Sequence, residues 1–442
     1  MAPILGGLAL LASVAGVLGQ TTVSDDRTTA TDTTLSLTEN ATPTGTYESF
    51  TGQRTLTSDL GSIGNVASSL GADNMTRSTI SSSTSSPVTF LTGSAVSTTS
   101  LSGNFSSTTS SATATVTNTQ PCNNYAEFCT KKYSNITNVA CHNSPFTTAN
   151  NLAANQQYDV TAQLNDGVRF LQAQIQWPTG GTEPHFCHTS CDVLDAGPIT
   201  DWLSQVKNWV ASHPYDVVTI LLGNGNYSVP SLYYPYIEQT GILRYVYTPS
   251  VVPMVLDDWP TLSEMILKGQ RVVMFMDYMA NQTEYPWLLD EFSQLWETPF
   301  DPTNQSFPCT VQRPPNLAEA DAKNRLYMIN HNLNIELSIL GTDMLVPART
   351  ELNVTNNVTG FGSLGLSANN CRSDWGRAPN FLNVDYYNYG GYAGSVFEVA
   401  AQMNNVTYDR KCCGVSTSGA EKLLETGVIN SLLMIAMFWA FL

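Results

Sequence analysis

Two short runs constrain this chain most: residues 217–222 (Val-Val-Thr-Ile-Leu-Leu) and residues 271–276 (Arg-Val-Val-Met-Phe-Met). Neither alternates apolar with polar, so neither reads as a strand with one wet face. Continuous apolar strands of this kind are buried on both faces, which happens when helices cover both sides of a parallel sheet. The segments around them fit that plan. A helix over 198–212 places Ile199, Trp202, Leu203, Val206, Trp209 and Val210 on one stripe, and a second helix is expected near 262–267. Further strands are expected at 138–141, 168–176, 326–329 and 381–384, with another helix at 151–164. No glycine-rich dinucleotide fingerprint follows any of the strands, so a TIM-type (β/α) barrel fits this α/β pattern better than a Rossmann sheet. In a barrel the polar residues just past each strand gather at one rim. His142, Gln174, His188, Asn224, Asp277 and Asp385 hold such positions.

Composition divides the chain into four parts. Residues 1–19 are an apolar run ending in small residues, the pattern of a secretory signal peptide. Residues 20–118 are dominated by Ser and Thr and lack hydrophobic periodicity. Such a segment buries too little apolar surface to offset its chain entropy, so a disordered, O-glycosylated stalk is expected. Residues 119–413 carry the aromatic and aliphatic runs of a single barrel domain. Residues 414–442 combine small residues (Ser416 to Ala420), a short polar spacer and an apolar tail, the pattern of a GPI-anchor signal. A secreted, membrane-anchored protein at the cell surface or wall is the expectation. Ten N-glycosylation sequons, at Asn40, Asn74, Asn104, Asn135, Asn226, Asn281, Asn304, Asn353, Asn357 and Asn405, fit the same route. Nine cysteines imply disulfides there, with Cys187/Cys191 and Cys412/Cys413 as participants and one cysteine left over. The net charge of −17 and the scarcity of Lys and Arg argue against a nucleic-acid partner.

Three of the five histidines fall in two short stretches, Cys141-His142-Asn143-Ser144 and His185-Phe186-Cys187-His188-Thr189-Ser190-Cys191. Between them runs a strand that alternates apolar and polar through Phe170-Leu171-Gln172-Ala173-Gln174-Ile175-Gln176. Two imidazoles at the ends of neighbouring strands suit general base and general acid work on a phosphodiester, because imidazole titrates near neutral pH. His185, His213 and His331 read as structural, and the Trp202/Trp209 stripe as core. Raw residue types at Cys141, His142, Cys187, His188 and Cys191 also suggest zinc, but the secretory route makes disulfides the better account.

The ordered set His142-Asn143-Ser144, Gly167-Val168-Arg169-Phe170-Leu171, Cys187-His188-Thr189-Ser190 and Val384-Asp385-Tyr386-Tyr387 resembles the phosphatidylinositol-specific phospholipase C X-domain superfamily. More closely it resembles the fungal secreted PLC-like phosphodiesterases. The resemblance spans about residues 122 to 413 and implies a phosphoric diester hydrolase of lipid metabolism. His142 would be the general base, His188 the general acid, and Asp385 the carboxylate that orients His142. Asn143 matches an asparagine that contacts calcium in metal-dependent members. At the strand positions where such members carry acidic ligands, and bacterial members an arginine, this chain has Gln172 and Gln174. Arg169, on the opposite face of the strand, is a poor substitute. Amides from Gln172, Gln174 and Asn224 would then hold the phosphate of a phosphodiester or phospholipid head group. No cofactor is required on this reading; the alternative is a divalent cation, Ca or Mg, held by Asn143 and Asp277 with Asp385. A catalytically silent surface barrel used for binding is the competing function.

Overall fold

The structure is a computed structural model that describes residues 47, 52–56, 119–339 and 342–413. The expected signal peptide, anchor signal and most of the expected stalk lie outside the described residues. Eight parallel strands form the sheet: β1 (Asn138–Cys141), β2 (Phe170–Gln176), β3 (Val218–Gly223), β4 (Val272–Met276), β5 (Leu288–Asp290), β6 (Leu295–Glu297), β7 (Leu326–Asn330) and β8 (Phe381–Val384). They pair in chain order from β1 to β5 and from β6 to β8, and β8 pairs back onto β1 through Val384 and Cys141. The order is that of a TIM-type barrel with one seam, because no ladder joins β5 to β6. A single helical turn, Glu291–Gln294, links those two strands where a crossover helix would be expected.

The two-residue period of each strand sorts side chains into two apolar clusters. Val139, Leu171, Ala173, Ile220, Leu222, Met274, Ile329 and Leu382 face outward and pack with Trp202, Leu203, Val206 and Val210 of the helix Ile199–Ser212. Ala140, Phe170, Leu221, Phe275, Met328 and Phe381 face inward and fill the lower barrel. Phe170 and Phe381 meet there at 4.5 Å between ring centroids, and truncating either would cost about 3–5 kcal/mol. Tyr133 closes the bottom, stacked on Trp259 at 4.6 Å and hydrogen-bonded to Thr219 at 2.6 Å.

Three features differ from expectation. The helix expected over 151–164 begins only at Val160, capped by the Asp159 carboxylate on the Ala162 N–H. Residues 151–158 instead form a loop whose amides serve the site. The short strands β5 and β6 carried no readable pattern. Finally, Tyr47 and residues 52–56 of the expected stalk pack against the barrel.

Disulfides join Cys122 to Cys129, Cys187 to Cys191, Cys309 to Cys371 and Cys412 to Cys413, and Cys141 is left free and buried. Of the sequon asparagines in the barrel, Asn135, Asn226, Asn281, Asn304, Asn353 and Asn405 are exposed and Asn357 is half-buried. Among the described residues no helix is long and apolar enough to cross a membrane.

Candidate active site

The inward parity that carries Phe170 and Phe381 at the bottom carries polar groups toward the C-terminal ends of the strands. On β2 it continues through Gln172 and Gln174, on β6 to Glu297, on β7 to Asn330, and on β8 to Asn383. The same parity reaches Asp277 just past β4, His142 just past β1 and Asp385 just past β8. The top of the barrel is therefore a polar mouth above an apolar floor, the end at which catalytic groups sit in barrels of this kind.

His142 Nδ1 lies 2.8 Å from Asp385 Oδ1, and the two side chains are only 7% and 2% exposed. The pairing assigns the Nδ1 proton to the carboxylate side and leaves Nε2 to accept, 3.2 Å from the Asn143 amide. The β1 and β8 ends are held in register by His142 N–H donating to the Val384 carbonyl at 3.0 Å. Gln156 Nε2 clamps both carbonyls, of His142 at 2.8 Å and of Val384 at 3.0 Å. Asn155 Nδ2 donates to Asp385 Oδ1 at 2.9 Å. Burial by itself disfavours the His142 imidazolium. The charge and hydrogen bond of Asp385 outweigh it, with Asp301 and Glu297 adding to them, and the His142 pKa is raised.

His188 reaches the mouth from an antiparallel excursion of β2, the strand His185–His188, whose Phe186 pairs with Ile175. The Cys187–Cys191 disulfide spans the tight turn that follows, in which Thr189 takes φ +59°. Gln176 Nε2 donates to the Thr189 carbonyl at 3.0 Å and pins the turn to β2. The imidazole packs edge-on against Phe146 at 5.3 Å and meets the Thr189 hydroxyl at 3.1 Å. Burial, and then the nearby charge of His142, push the His188 pKa down to about 3. The two imidazoles thus share one mouth with opposite electrostatic bias.

The remaining expected residues divide. Gln172 stands in the mouth, its Oε1 accepting from Asn383 at 3.1 Å. Gln174 also faces inward, and Gly225 makes room for it: a Cβ there would sit 2.4 Å from Gln174 Nε2. Asn224 does not line the mouth. It falls one residue off the inward parity of β3 and is fully buried. Its amide is spent on the Ser228 and Tyr278 carbonyls, the Ser228 N–H and the Tyr233 hydroxyl, so it anchors a loop. Asp277 Oδ1 accepts from the Asn224 N–H at 2.7 Å and the Tyr278 N–H at 2.8 Å. Burial, against the pull of Arg313 and these amides, holds its pKa up at about 6. Asn143 and Asp277 are engaged by different partners, and among the described residues no three His, Cys, Asp or Glu side chains converge as a metal cage. Away from the mouth, His185 pairs with Asp195 at 2.8 Å, His213 stacks on Trp209 at 3.8 Å, and His331 Nε2–H donates to the Thr355 carbonyl at 3.0 Å. Arg169 is consumed by Asp216 at 2.8 Å and sits at the barrel's lower end.

Sequence reasoning missed Asn155 and Gln156, which lay inside an expected helix, and a charged cluster supplied by loops. Arg313 is buried against Glu297 at 3.0 Å, the Tyr278 hydroxyl at 2.9 Å and Asp277 at 3.7 Å. It is engaged by carboxylates and so is not a free phosphate clamp. Asp301, in the loop after β6, has its pKa raised to about 6, chiefly by burial and against the charges of His142 and Arg313.

A family model described as PI-PLC X 1 matches residues 128–404. The chain is 55% identical over 306 residues to an uncharacterized secreted protein of Arthroderma benhamiae, covering 69% of each. It is 38% identical over 271 residues to PI-PLC X domain-containing protein 1 of the same fungus, covering 61% of this chain and 86% of that relative. Among solved structures, the phosphatidylinositol-specific phospholipase C of Listeria monocytogenes aligns over 62% of this chain and 94% of its own, at 11% identity and a TM-score of 0.43. A mutant phosphatidylinositol-specific phospholipase C of Staphylococcus aureus aligns over 61% and 93%, at 16% identity and a TM-score of 0.41.

Proposed function

This chain belongs to the PI-PLC X family, and from that premise we propose that it is a phosphoric diester hydrolase working by histidine acid–base chemistry. The observation that carries the reading is the buried His142–Asp385 pair at 2.8 Å with His188 in the same mouth. His142 Nε2 takes the proton from the attacking hydroxyl, while Asp385 holds the Nδ1 proton and stabilises the imidazolium that forms. His188 gives a proton to the leaving oxygen. The anionic diester itself supplies the charge that favours protonated His188, which in the free protein is biased toward neutrality. Gln172 and Gln174 offer amides to the phosphoryl oxygens. Metal assistance through Asn143, Asp277 or Asp385 is the competing chemistry, and chelation separates the two.

A lipid substrate is supported by the rim. Leu152, Val354, Phe361, Tyr389 and Tyr392 are exposed on segments that follow β1, β7 and β8, Val354 on the helical turn Leu352–Thr355 and the others on loops. These loops interlock, Arg349 Nη2 reaching the Ala154 carbonyl at 3.1 Å and the Tyr386 hydroxyl the same carbonyl at 2.6 Å. An apolar quadrant beside the mouth suits a phospholipid head group presented at an interface. The C-terminal segment, read as a GPI-anchor signal, would exchange its apolar tail for a lipid anchor that keeps the enzyme at the cell surface.

One observation favours a second assignment of roles. With no substrate bound, His142 is biased toward the cation and His188 toward neutrality, the pattern expected if His188 is the base and His142 the acid. Leaving-group dependence separates the two. Turnover of phosphatidylinositol and of a nitrophenyl phosphodiester by the secreted chain, with and without EDTA, is compared with His142→Ala and His188→Ala. A nitrophenolate leaves without an acid, so the acid variant keeps activity on that substrate and the base variant loses it on both. Loss of all turnover to EDTA would move the chemistry to a metal. No turnover on either diester from folded protein would leave the silent binding barrel as the function.

A further inference from the structure

The seam between β5 and β6 is the one place where the barrel has neither a ladder nor a crossover helix, and behind it lies a buried ionic cluster. Glu291 and Glu297 are 1% and 0% exposed, with Arg313 and Asp277 beside them. Water entering there would hydrate the Arg313–Glu297 pair and weaken it. Two pieces of chain cover the seam. The loop over 250–254 does so from within the barrel domain, Met254 N–H donating to Gln294 Oε1 at 2.6 Å. The second piece comes from the Ser/Thr-rich stretch. Arg54 and Thr55 pair antiparallel with Val252 and Val251, Leu56 N–H donates to the Ser250 carbonyl at 2.9 Å, and Gln53 Nε2 to the Pro253 carbonyl at 3.0 Å. Tyr47 sets its ring edge-on against Phe292 of the seam turn at 5.0 Å and against Tyr278 at 5.9 Å. Its hydroxyl is hydrogen-bonded to Tyr278 and Arg313.

We propose that Tyr47 and residues 52–56 are an intramolecular strap that seals the β5/β6 seam and holds Arg313 in place from outside the barrel domain. The consequence reaches the mouth. Arg313 bonds Glu297 at 3.0 Å, Asn330 Nδ2 donates to Glu297 at 3.3 Å, Asn383 Nδ2 donates to Asn330 Oδ1 at 3.1 Å and to Gln172 Oε1 at 3.1 Å. A continuous hydrogen-bonded path therefore runs from the strap's tyrosine to the amide beside the histidines. Release of the strap opens the seam and loosens that path, so the stretch before the barrel regulates the domain.

The test needs no substrate. In the full secreted chain, Thr55→Cys is combined with Val251→Cys, its partner in the antiparallel register. Residues facing each other across such a ladder lie within disulfide reach. A control combines Thr55→Cys with Leu152→Cys, on the far side of the barrel after β1. Non-reducing peptide mapping is expected to find the 55–251 cross-link in most molecules and little in the control. Alongside, Tyr47→Ala is expected to lower Tm by roughly 2–6 °C and to speed amide exchange across residues 288–297, with Tyr47→Phe intermediate. Cross-linking no greater than the control overturns the strap. Cross-linking with unchanged Tm and exchange in Tyr47→Ala overturns the role given to Tyr47.

Discussion

Replacing Asp385 by Asn keeps the volume and removes the charge, and its effect can be worked from the pair itself. The carboxylate lies 2.8 Å from His142 Nδ1 with both side chains nearly buried. At about 4 Å between charge centres and an effective dielectric near 20, the carboxylate favours the imidazolium by about 4 kcal/mol. That corresponds to about 10³-fold in the population of charged His142. If His142 is the group that becomes charged at the transition state, kcat/KM on an aryl phosphodiester falls about 10³-fold, with KM within roughly threefold. The same substitution leaves only the weaker charges of Asp301 and Glu297 against burial, so an NMR titration of the substrate-free protein should find the His142 pKa lower than in the wild type. The linkage has a definite sign. Because the folded protein raises the His142 pKa, the pair stabilises the fold fully below about pH 6.5 and the contribution fades as pH rises through the raised value. Asp385→Asn should lose that acid-side contribution. A fall in kcat/KM of less than tenfold, or an unmoved His142 titration, would refute the reasoning and leave Asp385 as a residue that only satisfies neighbouring amides.

Four further outcomes are expected. His331 is fully buried and its pKa is pushed down to about 3 by burial. The unfolded chain therefore takes up a proton below pH 6.5 that the native state refuses, and between pH 7 and 5 wild type should lose about 2 kcal/mol more than His331→Gln in urea unfolding; parallel curves would show that His331 charges without cost. Removing both Cys187 and Cys191 as alanines should cut kcat about 10- to 100-fold with little loss of Tm, because the loop they close is short and its value is in fixing His188; an equal loss of stability and activity would make the bridge merely structural. Gly225→Ala should displace the Gln174 amide and lower kcat/KM about tenfold while Tm stays within a few degrees, and unchanged kinetics would remove Gln174 from the mouth. Phe361→Asp, at a side chain 68% exposed on the rim, should reduce turnover on phospholipid vesicles but not on a soluble aryl diester; equal effects on both would place the lesion in the barrel.

The legible parts of this chain were those where local pattern and tertiary demand agree. β1, β2, β3, β4, β7 and β8 all lie within a residue or two of their expected bounds, because each carries an apolar run or an apolar–polar alternation that can be read. β5 and β6 span three residues each and owe their pairing to neighbours, so no periodicity could announce them. The segment around Leu152, Ala153 and Ala154 looked helical from its apolar residues. Asn155 and Gln156 instead bind Asp385 and the His142 and Val384 carbonyls, and those long-range bonds overrule propensity. Asn224 was placed at the rim for following a strand, but inward parity had already ended on Gly223. Carried along β7 and β8, the same parity would have drawn attention to Asn330 and Asn383. Arg313 and Asp301 sit on a loop without period, where only the folded chain shows what they face.

The layered barrel interior bears on whether the mouth is used for chemistry. A barrel kept only as a binding surface gains nothing from carrying an imidazole–carboxylate pair and a second, uncharged imidazole where apolar side chains would fill the same volume. Buried pairs of this kind often leave a protein no more stable than a well-packed apolar substitute, and a neutral buried histidine costs stability whenever the medium is acidic. Here the cost is concentrated at the C-terminal end of the strands, directly above the Phe170/Phe381 floor that stabilises the same barrel without penalty. It is also surrounded by devices that fix orientation: the Gln156 clamp on two carbonyls, the Asn155 bond to Asp385, and the Cys187–Cys191 turn behind His188. Rigid positioning of buried titratable groups is what acid–base catalysis requires and what passive adhesion does not. On physical grounds the mouth therefore favours turnover over silence, and the variant that separates them is Asp385→Asn: a catalyst loses rate at unchanged fold, whereas a silent barrel relieved of a buried charge has no rate to lose.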